Sequence, residues 1–190
     1  MPDSFVRPLA LLYQAVEQGA AWPDGSQKVL VSLLSKKGPP TATNVRPIAV
    51  TPLYRLWAIA RWELLVVFQE TWAHSSQWGF RPGRGAADAA LLSAMRVESA
   101  GAKHQDHCVI DLDLAKAFDS IPQKLLWSLL ERFGIPLTIM RPWKRWYGIG
   151  HRRHYKHMAG LGQEWTASNG LVQGCPLSCA AQKSAYGGPR

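Results

Sequence analysis

Three aspartates, Asp111, Asp113 and Asp119, fall within nine residues of the stretch CVIDLDLAKAFDSIP, residues 108–122. Carboxylate oxygens are the ligands that Mg²⁺ prefers, so the cluster suggests a divalent-metal site. On an extended strand, residues i and i+2 share a face, which would place Asp111 beside Asp113. The alternative is that both lie in solvent at the end of a strand. Asp119 suits an N-cap or a turn as well as it suits a metal ligand.

A second group of candidate ligands lies in HRRHYKH, residues 151–157, with Cys175 and Cys179 further along the chain. Histidine and cysteine are the usual ligands of zinc. The sequence has no Cys-x-x-Cys pair, and the three-residue spacing of the histidines fits a solvated basic face equally well. A zinc site is therefore disfavoured.

Basic residues outnumber acidic ones, 22 to 13, in this chain of 190 residues. From Ser120 onward there are ten basic and two acidic residues, with Trp143, Trp146, Tyr147 and Tyr155 among them. Cations that contact phosphates and rings that stack on bases together indicate a nucleic-acid partner. Trp143 and Trp146 are the best aromatic candidates for that contact. The alternative is an ordinary solvated basic face.

The cysteine content and the N-terminus bear on the compartment. Three cysteines in a chain of this length do not make a disulfide framework, which favours a reducing compartment, the cytoplasm or the nucleus. The first residues lack the basic and apolar regions of a secretory signal, and no apolar run is long enough to cross a membrane. We therefore expect an intracellular protein that is not secreted and has no membrane partner.

The elements that must position these residues can be read from hydrophobic periodicity and from the placement of glycine and proline. Helices are predicted at residues 9–18, 53–71, 86–100, 123–133 and 135–147, the last either continuous or interrupted at Pro142. Strands are predicted at residues 28–35 and 109–114, a short strand or extended piece at 45–51, and short strand or turn pieces at 165–167 and 171–172. The helix at 53–71 is apolar nearly all round, which predicts burial. Strands and helices alternate irregularly, so we expect an α+β fold.

The stretch DLAKAFD, residues 113–119, resembles the first catalytic motif of reverse transcriptases of the non-LTR (LINE-type) retrotransposon and group II intron type. Four further segments resemble the same family in its order, namely VLVSLLSKKGPPTATNVRPIAV, LYRLWAIARWELL, QWGFRPGRGAADAALL and NGLVQGCPLS. The resemblance implies the fingers, residues 1–105, and a partial palm, residues 106–190, of a right-hand polymerase, with the thumb absent.

The resemblance also assigns roles within the first motif. Asp113 matches the aspartate that binds the catalytic Mg²⁺ ions, with Mn²⁺ as an alternative. Phe118 matches the residue that lies under the sugar of the incoming nucleotide and excludes a ribose 2′-hydroxyl. Asp119 is implied to be mainly structural, and Asp111 has no fixed role.

Other positions are implied to contact the substrates. Those assigned to the incoming deoxynucleotide are Arg46, Gln173, Gly174 and one of Lys36 and Lys37, two lysines that suit an ordinary surface position equally well. Those assigned to the template are Phe80, Arg81 and Arg84, although the two arginines suit solvated loop positions almost as well. The implied reaction is template-directed transfer of deoxynucleotides to a primer 3′-hydroxyl, with an RNA template and a DNA primer. Two Mg²⁺ ions would clamp the attacking and leaving oxygens.

The sequence departs from the family in its acidic residues. The family's remaining metal ligands come from an aromatic-x-Asp-Asp hairpin after the Gln-Gly motif, whereas this sequence has no Asp or Glu after Glu164. We therefore expect a fragment or truncated copy that does not polymerise as an isolated chain. The alternative function is that of a non-catalytic nucleic-acid-binding remnant.

Overall fold

The computed structural model describes residues 3–38, 41, 44–148, 152–157 and 160–186, and within them the fold is α+β. The helices are α1 (Asp3–Gln18), α2 (Asp24–Gln27), α3 (Pro52–Glu70), α4 (Ala86–Ala102), α5 (Gln123–Arg132), α6 (Leu137–Tyr147) and α7 (Pro176–Tyr186). The strands are β1 (Lys28–Ser35), β2 (Val45–Val50), β3 (Arg152–His157) and β4 (Gly160–Thr166).

The four strands form one sheet in the order β2-β1-β3-β4. The outer pairs, β1 with β2 and β3 with β4, are antiparallel, and the central pair of β1 with β3 is parallel. Val31 of β1 lies opposite Ala49 on one side and Tyr155 on the other. Because paired residues point to the same side of a sheet, these three side chains share one face.

Aromatic side chains build much of the core beside this sheet. Tyr54 of α3 stacks on Trp146 of α6, with ring centroids 3.7 Å apart. Trp57 and Trp143 are fully buried as well. Glu17 of α1 accepts hydrogen bonds from Trp57 Nε1, at 2.7 Å, and Arg61 Nε, at 2.5 Å, which ties α1 to α3.

Several predicted elements are confirmed with small shifts at their ends. β1 occupies residues 28–35 as predicted, and α3 and α5 match within two residues. Gly19, at φ +123°, ends α1 in the left-handed region that favours glycine. The helix predicted at 135–147 is confirmed as α6, which continues through Pro142 without interruption, and the Pro142 carbonyl accepts a hydrogen bond from Trp22 Nε1 at 2.9 Å.

The strand predicted at residues 109–114 is wrong. Residues 105–114 form neither helix nor strand, and they are exposed throughout. Ile110 is 78% exposed and Leu112 89% exposed. An extended segment becomes a strand when a neighbouring strand takes up its N–H and C=O groups, and no strand of the described residues pairs with this one. Asp111 and Asp113 therefore do not share a face of a sheet.

Two other expectations need correction. The helix α3 is not buried all round, because Ile59, Leu64 and Val67 are exposed on its surface. The basic run at 152–157 is strand β3, which the sequence did not predict. Of the two short pieces predicted as strand or turn, residues 165 and 166 belong to strand β4, and residues 171 and 172 are not in a strand. Among the described helices, none combines the length and apolar character that a membrane span requires.

Candidate functional site

A cleft of about 820 Å³ lies between the end of the β1–β2 hairpin and the turn that follows residue 113. We call this space the cleft. It brings together four residues that the sequence singled out in three separate segments, Lys36, Arg46, Phe118 and Gln173. Asp119, which the resemblance implied to be structural, and Tyr155, one of the aromatic residues among the basic ones, also line it, together with Lys116, which the sequence did not single out.

One wall of the cleft is a tight turn at residues 115–120. The backbone N–H groups of Asp119 and Ser120 both donate to the Lys116 carbonyl, at 2.8 Å and 3.0 Å. Lys116 has a φ of +51°, which a residue with a side chain adopts at a cost of about 1 kcal/mol. The turn places Phe118 against the core and leaves Asp119 exposed.

The turn is fixed to the segment that carries Gln173. Leu171 N–H donates to the Phe118 carbonyl at 2.7 Å, and Gly170 N–H donates to the Ile121 carbonyl at 2.9 Å. Gly170 has a φ of +82°, and a Cβ there would lie 2.8 Å from the Asp119 carbonyl oxygen. Glycine is therefore required twice at this position, for its backbone conformation and for the close approach of the two segments.

Gln173 and Gly174 form a turn held against β2 and α3. The Gln173 carbonyl accepts a hydrogen bond from Ala49 N–H at 3.0 Å, and the Gly174 carbonyl accepts one from Arg55. Gly174 has a φ of +103°, and a Cβ there would lie 3.1 Å from the Ala49 carbonyl oxygen. The side-chain amide of Gln173 lies 3.4 Å from each carboxylate oxygen of Asp119, which links the two walls of the cleft.

A buried tyrosine hydroxyl contacts the residue that precedes this turn. The hydroxyl of Tyr147 accepts a hydrogen bond from Val172 N–H at 2.9 Å and lies 3.3 Å from Ser178 Oγ. Burial raises the pKa of the Tyr147 hydroxyl, and the nearby Cys175 adds to the shift. Burial also raises the pKa of the Cys175 thiol, which lies 3.2 Å from the Tyr54 hydroxyl. Both groups therefore stay protonated at neutral pH.

The charges that line the cleft favour an anion. Lys36, Arg46 and Lys116 are exposed cations on its walls, and Asp119 is the acidic side chain among the lining residues. Fixed cations in a concave site attract phosphate and neutralise the charge that builds up on it. Phe118 and Tyr155 add apolar and aromatic surface to the same space. Cations and rings together suit a phosphorylated molecule that also carries a planar or sugar group.

Asp113 lies one residue before Leu114, which lines the cleft, but Asp113 itself belongs to the exposed segment. Within the described part of the chain, no three or more His, Cys, Asp or Glu side chains are grouped closely enough to hold a metal ion. Mg²⁺ demands near-octahedral oxygen coordination and gives up its waters reluctantly. The carboxylates of Asp111 and Asp113, on an unpaired segment, do not by themselves assemble a site for two such ions.

The three residues predicted to contact a template lie on another part of the surface. Phe80 is 55% exposed with a φ of +54°. Arg81 is buried, and it donates to both carboxylate oxygens of Glu70 and to the carbonyls of His74 and Gln77. Arg84 donates to the Ser75 carbonyl at 2.6 Å and lies over the Trp78 ring. Arg81 therefore organises its own loop, and the template role of all three stays a prediction.

The prediction that Trp143 and Trp146 contact nucleic acid is wrong. Both are fully buried, Trp146 against Tyr54 and Trp143 against Trp127. The amphipathic pattern of α6 turns these indoles to the core and leaves Arg141, Lys144 and Arg145 outside. Of the remaining predicted residues, Lys37 is exposed in the turn after β1, and Lys36 lies on the wall of the cleft.

Comparison with known proteins bears on the origin of this arrangement. A family model described as reverse transcriptase (RNA-dependent DNA polymerase) matches residues 34–185, well over half of the chain. The match contains every residue that the sequence assigned to a substrate or metal. A search of curated proteins gives no match.

Proposed function

The chain belongs to the reverse transcriptase family, and on that premise we propose that its cleft binds the incoming deoxynucleoside triphosphate. The observation that carries the proposal is the convergence of Lys36, Arg46, Phe118 and Gln173 on one cleft. Lys36 and Arg46 would hold the triphosphate, since charge-assisted hydrogen bonds to phosphate are the strongest that side chains make. The family supports RNA-directed DNA polymerisation as the parent activity.

The position of Phe118 supports a preference for deoxyribose. Phe118 lines the cleft, its backbone carbonyl is held by Leu171 N–H, and its partly buried side chain packs against the core, which restricts the ring. A rigid aromatic ring under the sugar would clash with a 2′-hydroxyl. Gln173, held by Ala49 on one side and near Asp119 on the other, would line the same pocket.

We further propose the finer assignment to the non-LTR or group II intron type, with Asp113 as one Mg²⁺ ligand. The metal would supply neutralisation of the transferred phosphate when bound. The residues of this chain would bind and orient the nucleotide and exclude a ribonucleotide. Arg81 would hold in place the loop that carries the predicted template contacts. An intracellular location, cytoplasmic or nuclear, belongs to the same proposal.

A second candidate function is favoured by the exposed segment at 105–114. An Asp113 held on unpaired backbone would bind metal weakly, so the isolated chain would bind nucleotides or nucleic acid without turnover. Primer extension on the purified chain separates the two functions. We expect no templated product, and product that disappears with Asp113→Ala would establish an active polymerase instead.

Nucleotide binding itself is tested by calorimetry with a deoxynucleoside triphosphate in a magnesium buffer. We expect Arg46→Gln to weaken binding by on the order of tenfold, which corresponds to losing one charge-assisted contact. Arg141→Gln is the matched control because it removes the same charge from an exposed position of α6 that does not line the cleft. Equal weakening by the two variants would mean that general positive charge, and not the cleft, binds the nucleotide.

The sugar preference has its own measurement in the same assay. Phe118→Ala should reduce the ratio of deoxynucleotide to ribonucleotide affinity by roughly tenfold, since the steric barrier to the 2′-hydroxyl is removed. An unchanged ratio would contradict the assignment of Phe118.

A further inference from the structure

A second space of about 320 Å³ adjoins the cleft, and we call it the inner cavity. One side is the face of the sheet that carries Val31, Ala49 and Tyr155, and the other side is formed by Asp119 and by residues 167–173. The two spaces share Lys116, Asp119, Tyr155 and Gln173 among their walls. Arg46 and Lys36 line the cleft but do not line the inner cavity.

Three buried hydrogen-bond donors without acceptors belong to Arg153 and Trp165, two residues that line the inner cavity. The Nε and Nη2 atoms of Arg153 and the Nε1 atom of Trp165 are buried, and none of them has a hydrogen-bond partner among the described residues. Buried donors in folded proteins are nearly always paired, because an unpaired one has lost its water without gaining a replacement. Three orphaned donors on two adjacent residues therefore point to a missing acceptor.

Arg153 and Trp165 are held together by the sheet. They face each other in the register of β3 and β4, and the Arg153 guanidinium carbon lies 5.1 Å from the centroid of the Trp165 ring. A guanidinium over an indole is fixed by its attraction to the ring, which leaves its N–H groups available to another partner. This is a positioned donor group on regular structure rather than a mobile surface arginine.

The charges on the wall define the missing acceptor. Arg153 and Lys116 are cationic, and Asp119 is the acidic residue among those that line the inner cavity. The carboxylate of Asp119 lies 3.4 Å from the amide of Gln173. Burial lowers the pKa of the Arg153 guanidinium, and the charge of Asp119 raises it by less, so Asp119 offsets one of the two cations. Cations and neutral N–H donors remain in excess, and their natural partner is an oxyanion with several acceptor oxygens.

We propose that the inner cavity binds a phosphate group, held by the guanidinium of Arg153 and the indole N–H of Trp165. The site goes beyond the proposed nucleotide contacts, since it uses neither Arg46 nor Lys36. The phosphate could come from a nucleic-acid strand that passes the cleft or from a free nucleotide, and both present the same chemistry.

The test is a titration of the full chain, ¹⁵N-labelled, with inorganic phosphate, followed through the side-chain N–H signals of Arg153 and Trp165 by NMR. Trp165→Phe assigns the indole signal because it removes that one N–H group and keeps an aromatic ring. We expect both signals to shift saturably, and Arg153→Gln should weaken phosphate binding by on the order of tenfold. Arg46→Gln, which changes the cleft but not the inner cavity, should leave the shift of the Trp165 signal as it is.

Two results would overturn the proposal. One is the absence of a saturable shift at Arg153 and Trp165. The other is a shift that Arg153→Gln does not weaken. If Arg153→Gln fails to fold, as judged by the dispersion of the other indole signals, Trp165→Phe replaces it, with a loss of roughly threefold in phosphate affinity expected and an unchanged affinity counting against the site.

The source of the phosphate is settled by competition. Displacement of inorganic phosphate from Trp165 by a short single-stranded oligonucleotide, but not by a deoxynucleoside triphosphate, assigns the site to a strand. The reverse result assigns it to the nucleotide. Displacement by neither would overturn a role in binding nucleotides or nucleic acid. Loss of nucleotide affinity in Arg46→Gln tests the cleft separately, so the two proposals can fail independently.

Discussion

Residues 105–114 and residues 115–121 follow one another in the chain but are held very differently. The first segment is exposed throughout and pairs with no strand of the described residues. The second forms a tight turn whose Phe118 and Ile121 carbonyls accept hydrogen bonds from Leu171 and Gly170. We call them the open segment and the clasped segment. Asp113 belongs to the open segment, and Phe118 and Asp119 belong to the clasped one.

The difference shows what makes a segment of sequence into a site. The open segment has the more apolar sequence, with Val109, Ile110, Leu112 and Leu114, yet all four are exposed. The clasped segment has five small or polar residues around Phe118 and is nevertheless fixed, because its backbone carbonyls accept hydrogen bonds from another part of the chain. Hydrogen-bond partners for the backbone, more than the hydrophobicity of the sequence, decide which of the two segments is held in place.

Among substitutions that contrast the two segments, the largest loss of stability is expected at the contact between the clasped segment and residue 170. Gly170→Ala combines a φ of +82° with a Cβ 2.8 Å from the Asp119 carbonyl oxygen. We expect it to lower the free energy of unfolding by about 4 kcal/mol, measured by urea denaturation. Gly134→Ala is the matched control, since its φ is +76° and no atom lies within 4 Å of the added Cβ. It should cost about 1 to 2 kcal/mol, and equal costs would mean that the close approach is not important.

The second-largest loss of stability is expected at the residue after Gly170. Leu171 is 2% exposed and lies on the segment whose N–H groups hold the turn. Leu171→Ala should lower the free energy of unfolding by about 3 kcal/mol, the usual cost of a cavity in a packed core. Thermal denaturation followed by circular dichroism measures it. A cost under about 1 kcal/mol would indicate that the clasped segment is looser in solution than its contacts suggest.

The free energy of unfolding should depend on pH through Tyr147, whose buried hydroxyl accepts a hydrogen bond from Val172 next to the residues that hold the clasped segment. Burial raises the pKa of Tyr147 above the value of about 10 that an unfolded tyrosine has. Its contribution to stability is therefore fully present below pH 10 and falls as pH rises toward the folded pKa. At pH 11 the loss from Tyr147 should be about 1.4 kcal/mol, read from urea curves at several pH values.

Two variants sharpen that measurement. Tyr147→Phe should have a smaller alkaline loss than the wild-type chain because it has no hydroxyl to ionise there. Tyr155→Phe removes a hydroxyl from a partly exposed ring, 38% accessible, and serves as the control. An alkaline slope that Tyr147→Phe leaves unchanged would contradict the assignment of the loss to this residue.

The smallest effect is expected in the open segment. Leu112 is 89% exposed, so Leu112→Ser should change the free energy of unfolding by no more than about 0.5 kcal/mol. The same urea curves provide the measurement. A cost above about 1 kcal/mol would show that the open segment packs in solution, and the contrast with the clasped segment would then disappear.

Much of the secondary structure could be predicted because it depends on local signals. Strand β1 and helices α3 and α5 have clear periodicity and are bounded by glycine and proline, so their limits were found within two residues. The strand at 109–114 was predicted from the same kind of signal and is wrong. The alternation of apolar and polar residues there shows which side chains a strand would bury, but it does not show whether a neighbouring strand exists.

The residues of the candidate site were likewise predicted only in part. Lys36, Arg46, Phe118 and Gln173 were found through their resemblance to family motifs, and the fold brings them to one cleft. Lys116 and Arg153 were not found, because their positions depend on a left-handed turn and on pairing between β3 and β4. Trp143 and Trp146 were misassigned since composition alone does not show which side of α6 faces the core. Only the tertiary structure supplies that information.

The parallel pairing of β1 with β3 also has a consequence for how the protein is made. Residues 28–32 pair with residues 152–156, whereas β1 and β2 pair within residues 30–50. During synthesis the β1–β2 hairpin can form early, but the other edge of β1 has no partner until most of the chain has emerged. An unpaired strand edge invites pairing with other chains. We therefore expect the nascent chain to be most prone to aggregation, and most dependent on chaperones, over the long interval before β3 is synthesised.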